Sequence, residues 1–339
     1  MKARKSEKSL VVGLDVGTSK IVAIVGESQP DGSVEVIGLG SHPSMGLRRG
    51  VVVDMASTEQ AIQRAVEEAE LMAGCQIHSV YAGISGSHIR SLNSDGTVAI
   101  KDKEVSEGDV ERVLEAARAV PVAADQKILH VLPQEYVIDN QDGIRQPIGL
   151  HGYKLEVETH IITASAATVD NLRQCVSAAG VKEMQFVLNP LASGEVTLTE
   201  QERESGVAVC DIGGGTTDLA IYVNGNVWHT MVLAVGGNHV TNDIAHGLRL
   251  TIEQAEQVKR QYGHAIESEI ADGDTFTVRA FGEEAPIQVS RRDLAHIIEA
   301  RVEEIFLMAS QEIKRSGYDG LLPAGMVLTG GSSLLPGMR

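Results

Sequence analysis

Aromatic residues are scarce in this 339-residue chain, in which phenylalanine, tryptophan and tyrosine together make up 3%. So few rings argue against the stacking platforms that bind single-stranded nucleic acid. Basic residues are also in the minority, with 29 lysines and arginines against 46 acidic residues and a formal charge of −17. Because phosphate backbones are bound by clustered Lys and Arg, we predict that nucleic acid is not a partner.

Cysteine is rare as well, and no apolar run is long. Cys75, Cys175 and Cys210 stand far apart without a CxxC pair, which favours reduced thiols in a cytosolic protein over a disulfide or a metal site. No run approaches the roughly 20 apolar residues that a membrane-spanning helix needs, and the charged segment Met1–Lys8 is unlike a secretory signal. We therefore expect a cytoplasmic protein with two or three domains.

Strand and helix patterns alternate along most of the chain, which predicts an α/β fold. Four capping-box patterns predict helix starts at Ser57, Ser106, Thr251 and Ser290, each followed three residues later by Gln or Asp. Residues 83–162 differ in texture, because they are rich in polar turns and contain one clear helix. We interpret them as a small α/β module that protrudes as a separate lobe.

Two segments of the sequence repeat each other. Val12–Val25 reads VGLDVGTSKIVAIV, and Ala208–Val223 reads AVCDIGGGTTDLAIYV. Each is an apolar strand that ends in Asp, followed by a turn with Gly and hydroxyl residues and by a second apolar strand. A single D-x-G turn is common in hairpins, but two at domain-scale separation predict duplicated halves that face one cleft.

The chemistry of these turns suits phosphate binding. Glycines let backbone N–H groups approach phosphate oxygens closely, and Lys20 can neutralise phosphate charge. Asp15 and Asp211 end the two repeated strands and are predicted to hold Mg²⁺ through its water ligands. The residues predicted to bind nucleotide here are Asp15, Gly17, Thr18, Ser19, Lys20, Asp211, Gly213, Gly214, Gly215, Thr216, Thr217 and Asp218.

Two further Gly-Gly sequences each follow an apolar strand. They are LAVGGNHVTNDIA at Leu233–Ala245 and MVLTGGSSLLP at Met326–Pro336. Taken singly, either could be an ordinary connector, although a helix N-terminus also favours a phosphate or a polar nucleotide group. They add Gly236, Gly237, Asn238, Gly330, Gly331 and Ser332 to the predicted nucleotide site.

Together these four elements resemble the superfamily of sugar kinases, heat-shock chaperones and actin. LDVGTSK is similar to its phosphate-1 motif, CDIGGGTTDLA to phosphate-2 and VLTGGSSLLPG to the adenosine motif. Glu256, Lys259 and Arg260 resemble the helix that flanks the adenine in the chaperones. The resemblance implies an actin-like ATPase fold, with two duplicated α/β halves around a cleft for ATP and Mg²⁺.

Within this superfamily the chain is identified as a member of the FtsA family of bacterial cell-division proteins. The shared sequences include GLDVGTSK, DIGGGTTD, GGNHVTNDIA and HVLPQEYVID at His130–Asp139. The family implies the division 1A (residues 1–82 and 163–206), 1C (the inserted module, 83–162), 2A (207–246 and 301–339) and 2B (247–300).

Membership also implies partners. The family polymerises into actin-like protofilaments and tethers the tubulin-like FtsZ ring to the inner membrane through a C-terminal amphipathic helix, which is not among these 339 residues. Subdomain 1C is expected to contact other division proteins. The FtsZ C-terminal tail is expected on the outer face of the helix Arg291–Ser316, at Arg301 together with Glu304, Arg291 and Arg292.

One departure from the superfamily pattern concerns hydrolysis. In FVLNPLASGE, Asn189 stands where actin has Gln and MreB has Glu, with Glu195 as a fallback. A short amide is a poor group for orienting attacking water, so weak or absent ATPase activity is predicted. A sugar kinase of the same fold is the alternative, but no catalytic Asp stands out. A chaperone ATPase would require a C-terminal substrate domain.

Overall fold

The structure is a computed structural model that describes residues 10–280, 282 and 285–339. The predicted charged segment Met1–Lys8 lies outside the described residues. The strands are β1 Leu10–Val16, β2 Lys20–Ser28, β3 Val34–Pro43, β4 Leu47–Arg48, β5 Val51–Val52, β6 Ser79–Ile84, β7 Arg90–Ala99, β8 Gln126–Ile138, β9 Gln141–Ile144, β10 Lys154–Ser165, β11 Glu183–Leu188, β12 Val207–Ile212, β13 Thr217–Val223, β14 Asn226–Leu233, β15 Thr275–Val278, β16 Ile287–Ser290 and β17 Met326–Thr329. The helices are α1 Met55–Ala73, α2 Glu107–Arg118, α3 Ala166–Ala178, α4 Asn189–Thr197, α5 Glu200–Ser205, α6 Gly237–Leu248, α7 Ile252–Tyr262 and α8 Arg291–Ser316.

Two sheets repeat one topology, and this confirms the predicted duplicated halves. The first has the strand order β11-β6-β1-β2-β3, and the second has the order β14-β13-β12-β17. In both, the strand whose second-to-last residue is the repeated Asp pairs antiparallel with the next strand and parallel with a later one, β6 or β17. The alternating burial of β1 places Val12, Leu14 and Val16 in the first core, where α1 and α3 contribute apolar residues such as Ile62 and Val176.

Helices cover the second sheet on both faces. Residues of α6, α7 and α8, including Ile244, Val258 and Ile298, pack with Ile212 in the larger cluster. On the other side Leu198, which follows α4, packs in a smaller cluster of this half that contains β12 and β13 residues. Because α4 follows β11 of the first sheet, this helix joins the two halves directly beside the strand ends that carry the repeated Asp residues.

The module predicted at residues 83–162 contains a third sheet, ordered β7-β10-β8-β9, with α2 packed on it. The module has a hydrophobic cluster of its own, and it also contacts the rest of the chain. Ile162 and Ala164 of β10 belong to the core of the first half. On its other side, the buried His160 hydrogen-bonds Thr230 of β14 at 2.9 Å, and Gln134 donates to the Val227 carbonyl at 3.2 Å. The module is therefore held by both halves.

The helix caps test the predicted starts one by one. The boxes at Ser106 and Thr251 and the cap at Ser290 are confirmed. The start predicted at Ser57 is wrong, because Asp54 caps α1 and accepts a hydrogen bond from the Ser57 N–H at 3.2 Å. Helix α8 also runs unbroken across the predicted 2B–2A boundary at residues 300 and 301, since one continuous apolar face holds it against the core.

Candidate functional site

The two repeated turns have the same internal geometry and touch each other. The Gly17 N–H donates to the Lys20 carbonyl at 3.1 Å, and the Gly213 N–H donates to the Thr216 carbonyl at 2.9 Å. A Cβ added at Gly215 would lie 2.5 Å from Thr18 Oγ1. Glycine is therefore required at this position for the turns to approach, and the predicted phosphate turns face one another across the two halves.

Three carboxyl groups lie at this junction, at the ends of β1 and β12 and the start of β13. Burial, with the charge of Asp211 nearby, raises the pKa of Asp15 to about 6, although Lys20 opposes the shift. Burial also raises the pKa of Asp211. For Asp218, burial outweighs its hydrogen bond from Ser85 and raises the pKa to about 8. The site therefore concentrates acidic groups that a bound cation would stabilise in the ionised form.

Two serines that the motifs did not single out hold these carboxyl groups. Ser85 donates to Asp218 at 2.6 Å and links the first half to the second. Ser193 of α4 donates to Asp211 at 2.5 Å. A signal for Ser85 exists, because it follows β6, whose parallel pairing with β1 brings their carboxyl ends to one sheet edge. Ser193 lies one helical turn after Asn189 and has no comparable signal.

Asn189 is the first residue of α4 and lies close to the end of β1. A Cβ added at Gly83 would meet Asn189 Oδ1 at 2.6 Å and Asp15 Oδ1 at 3.7 Å. The fallback assignment of Glu195 is wrong. Its side chain is 74% exposed and paired with Arg203 at 2.8 Å. Because Glu195 follows Ser193 by two residues, it lies on the opposite side of the helix.

The two Gly-Gly elements converge on the phosphate-2 turn. At the start of α6 the Gly237 N–H donates to the Gly213 carbonyl at 2.9 Å, and the Asn238 N–H donates to the Gly214 carbonyl at 2.8 Å. Ser332 Oγ donates to the same Gly213 carbonyl at 3.1 Å. These amides therefore order the phosphate-2 turn, and the assignment of Gly236, Gly237 and Asn238 to the nucleotide site stays a prediction.

Gly330 and Gly331 follow β17 beside the same carboxylate. Gly330 has a φ of 85°, and a Cβ added to it would press against Asp211 Oδ1. Glycine thus allows the predicted adenosine motif to pass against the end of β12.

Two of the predicted phosphate ligands are buried and bonded to protein groups. The Thr217 side chain has no exposed surface, and its hydroxyl donates to the Val235 carbonyl at 2.8 Å. Asp218 is 3% exposed and bonded to Ser85. Both belong to β13, whose side chains are buried on both faces of the sheet. We therefore assign them to holding the strand in place.

The α7 residues predicted beside the adenine form a network with α6. Lys259 Nζ donates to the Gly237 carbonyl at 3.1 Å and to Thr241 Oγ1 at 2.9 Å. Glu256 accepts from Thr241 at 2.6 Å and pairs with Lys259 at 2.6 Å. Arg260 pairs with Glu256 at 2.9 Å, and its side chain is 78% exposed. Lys259 and Glu256 thus tie α7 to the residue that begins α6.

The two arginines that begin α8, which the sequence analysis placed on the docking face for the FtsZ tail, are both paired with acidic residues. Arg291 pairs with Asp274 at 3.0 Å, and Arg292 pairs with Asp272 at 2.6 Å and Glu267 at 3.0 Å. Acidic side chains from the neighbouring turns thus neutralise this face.

Arg301, further along α8, is paired as well, with Asp243 and Glu304. It lies in a groove of about 380 Å³ that is lined by Asp243, Ile297, Ala300, Arg301 and Glu304. The groove therefore combines apolar side chains with an arginine whose charge is already shared.

The part of the chain that the structure describes holds neither a cluster of metal-ligating side chains nor a helix that could span a membrane. Among residues 10–280, 282 and 285–339, no group of three or more His, Cys, Asp or Glu side chains is arranged so that it could hold a metal ion. Over the same part of the chain, the helices are too short or too polar to cross a membrane.

Comparisons with known proteins agree with this architecture. A family model described as "SHS2 domain inserted in FTSA" matches residues 86–163, and one described as "Cell division protein FtsA" matches residues 208–339. The cell division protein FtsA of Pseudomonas aeruginosa is 50% identical over 328 residues, which are 97% of this chain and 79% of that protein. That of Escherichia coli K12 is 42% identical, with coverage of 99% and 81%.

Solved structures share the fold at low sequence identity. The PilM-PilN type IV pilus biogenesis complex matches with a TM-score of 0.63 at 20% identity, covering 97% of this chain and 83% of that one. MreB 5 of Spiroplasma citri bound to AMPPNP matches with a TM-score of 0.56 at 15% identity, covering 98% and 87%. The sugar-kinase alternative is not favoured. The relatives, the inserted domain and the duplicated halves together show that this chain belongs to the FtsA family of actin-like cell-division proteins.

Proposed function

We propose that the cleft between the two halves binds ATP with Mg²⁺ and that bound nucleotide joins the halves into one rigid unit. The observation that carries this proposal is the contact between the two repeated turns, at Thr18 and Gly215, beside Asp15 and Asp211. The MreB structure of the same fold is bound to AMPPNP, which supports a nucleotide in this position.

The residues present suit magnesium. Asp15 and Asp211 are buried carboxyl groups whose pKa values are raised, so a divalent cation would offset the cost of ionising both. Two carboxylates are few ligands, but Mg²⁺ usually retains several waters and binds substrate phosphates. The cation would supply charge neutralisation between the phosphates and these two side chains. Lys20, at the first turn, would add positive charge on the phosphate side.

The nucleotide is proposed to act as a structural ligand with little turnover. Asn189 lies beside Asp15 at the end of β1, where a group that orients water would be needed. Its amide is neutral and too weak a base to accept a proton. Hydrolysis would then be slow, and the assembled state would persist.

In the cell, we propose that the protein polymerises with copies of itself and links the FtsZ ring to the inner membrane. The groove that is lined by Asp243, Ile297, Ala300, Arg301 and Glu304 is called the partner groove here, because it is the proposed docking surface for the FtsZ C-terminal tail. The module at 83–162 is the proposed contact for other division proteins. Membership of the FtsA family supports both assignments.

Titration calorimetry with ATP and Mg²⁺ tests the nucleotide site. Asp211→Asn removes one carboxylate charge and should weaken binding by about 1.5–3 kcal/mol, the range for a hydrogen bond to a charged group. Asp142→Asn makes the same chemical change on the exposed strand β9 and should leave the affinity unchanged. Equal affinities for wild type and Asp211→Asn would move the site away from the two turns.

A further inference from the structure

A two-residue hairpin turn lies between β4 and β5. Leu47 pairs with Val52 and Arg48 with Val51, so Arg49 and Gly50 form the turn. Their φ angles are 52° and 76°, and positive φ at both central residues defines a type I′ turn. Glycine adopts this conformation freely, whereas an arginine there is uncommon. The turn therefore presents a charged side chain where Asn or Asp would be the ordinary choice.

The hairpin turn at Arg49 and Gly50 is hydrogen-bonded to the first phosphate turn. The Gly50 N–H donates to Thr18 Oγ1 at 3.1 Å, and a Cβ added to Gly50 would lie 2.7 Å from the Ser85 carbonyl oxygen. Thr18 is also the residue that touches Gly215 of the second turn. Arg49 thus adjoins the point where the turns of both halves meet.

The guanidinium of Arg49 is exposed and lacks a partner among the described residues, 10–280, 282 and 285–339; the same holds for Arg48. The arginines of α8, by contrast, are all paired with acids. Burial and the positive charge of Arg49 both lower the pKa of His239, in the first turn of α6. The charge of Arg49 therefore acts on a residue of the second half. A free cation that faces both halves, in a chain of charge −17, points to an anionic ligand between them.

We propose that Arg49 binds the terminal phosphate of the nucleotide and so distinguishes a triphosphate from a diphosphate, an inference that rests on the proposed nucleotide site. Guanidinium groups bind phosphate oxygens through paired hydrogen bonds. The hairpin holds the arginine at the mouth of the cleft, while Thr18 and Gly215 hold the base of the phosphate site. Contact with the terminal phosphate would draw the hairpin of the first half toward α6 of the second half.

Calorimetry of ATP and ADP binding to three variants tests this. Arg49→Asn removes the charge and keeps a residue that tolerates left-handed backbone, so it should weaken ATP binding about tenfold, the effect of one lost charge-assisted hydrogen bond. ADP affinity should stay at the wild-type value. Arg49→Lys should recover part of the preference for ATP, and Arg48→Ala, one residue away, should match wild type.

The outcomes separate the two proposals. If wild type binds both nucleotides but Arg49→Asn leaves the ATP-to-ADP ratio unchanged, the assignment of Arg49 is wrong and the cleft stands. An equal loss for both nucleotides would also overturn it, because the contact would then not be with the terminal phosphate. If wild type binds neither nucleotide, the proposed site itself fails. A thermal melt of each nucleotide-free variant confirms that the fold is intact.

Discussion

Arg301 of α8 donates two hydrogen bonds to Asp243 of α6, from Nε to Oδ2 at 2.6 Å and from Nη2 to Oδ1 at 3.0 Å. Asp243 lies six residues after Gly237, a distance of about 9 Å along a helix. Since Gly237 donates to the phosphate-2 turn at Gly213, the groove around Arg301 and the phosphate-2 turn both contact helix α6. Helix α6 therefore connects the outer face of α8 to the proposed nucleotide site.

Arg301→Glu should weaken binding of an acidic FtsZ tail peptide, most strongly at low salt, where charges are least screened. The new carboxylate would face Asp243 and Glu304, so the groove would carry three negative charges. Asp243→Asn provides a sharper test, because it removes one of the two acidic partners of Arg301 and keeps the side-chain shape, which leaves Glu304 as the only carboxylate paired with the guanidinium among the described residues. It should strengthen tail binding severalfold.

Fluorescence anisotropy of a labelled tail peptide measures both variants. A tail that binds equally well to wild type and to Arg301→Glu at low salt would place the docking surface elsewhere. Arg315→Glu, at the exposed end of the same helix, is the control for a general change in net charge, and it should have a much smaller effect.

Asn189→Gln should raise the rate of ATP hydrolysis above that of wild type. The longer amide restores the group that actin uses at this position and leaves the charge beside Asp15 unchanged. Phosphate release by wild type should stay well below about 1 per second, the lower end of enzyme turnover. A wild-type rate typical of enzymes would overturn the structural role of the nucleotide. Identical slow rates in the two proteins would overturn only the role assigned to Asn189.

Asp218 predicts a pH dependence of stability for the nucleotide-free protein. Its folded pKa is raised from 3.8 to about 8 by burial, so the protonated form is favoured in the fold. The stability that this proton contributes is fully present below pH 3.8, falls progressively as the pH rises from there, and is lost once the pH has passed about 8. Between pH 7 and 8 the free energy of unfolding should fall, by at most about 1.4 kcal/mol per pH unit for one proton.

Urea unfolding of wild type and Asp218→Asn across pH 7–9 checks this prediction. The variant has no proton to lose, so the slope assigned to Asp218 should disappear. An identical pH profile in the two proteins would show that another group is responsible. His160, whose pKa is lowered to about 3 chiefly by burial, stays neutral throughout this range and does not contribute.

His160→Ala should destabilise the contact between the inserted module and the second half. The imidazole is 1% exposed and bridges Asn93 and Thr230, at 2.7 and 2.9 Å. Removing it leaves two polar groups without this partner, at a cost of about 1–3 kcal/mol in unfolding free energy. His151→Ala, on the exposed part of the same module, is the matched control. Equal stabilities of both variants would mean that the interface is dispensable.

Sequence alone determined the duplicated strand-turn-strand units, because glycine, hydroxyl and Asp residues at fixed spacing are readable without coordinates. It also located Asp15, Asp211 and Asn189 correctly at strand and helix ends. These features depend on local geometry, in which a strand, a turn and a helix start each restrict the residue types that fit.

Only the tertiary structure decided which side chains are committed to one another. Ser85 reaches Asp218 and Arg301 reaches Asp243 across long stretches of chain, so no local pattern could show that the α8 arginines are already neutralised. The unpaired state of Arg49 emerged in the same way, because a charge can be called free only when every neighbouring element is in place. Pairing of buried and half-buried charges is a property of the packed molecule, and local spacing does not encode it.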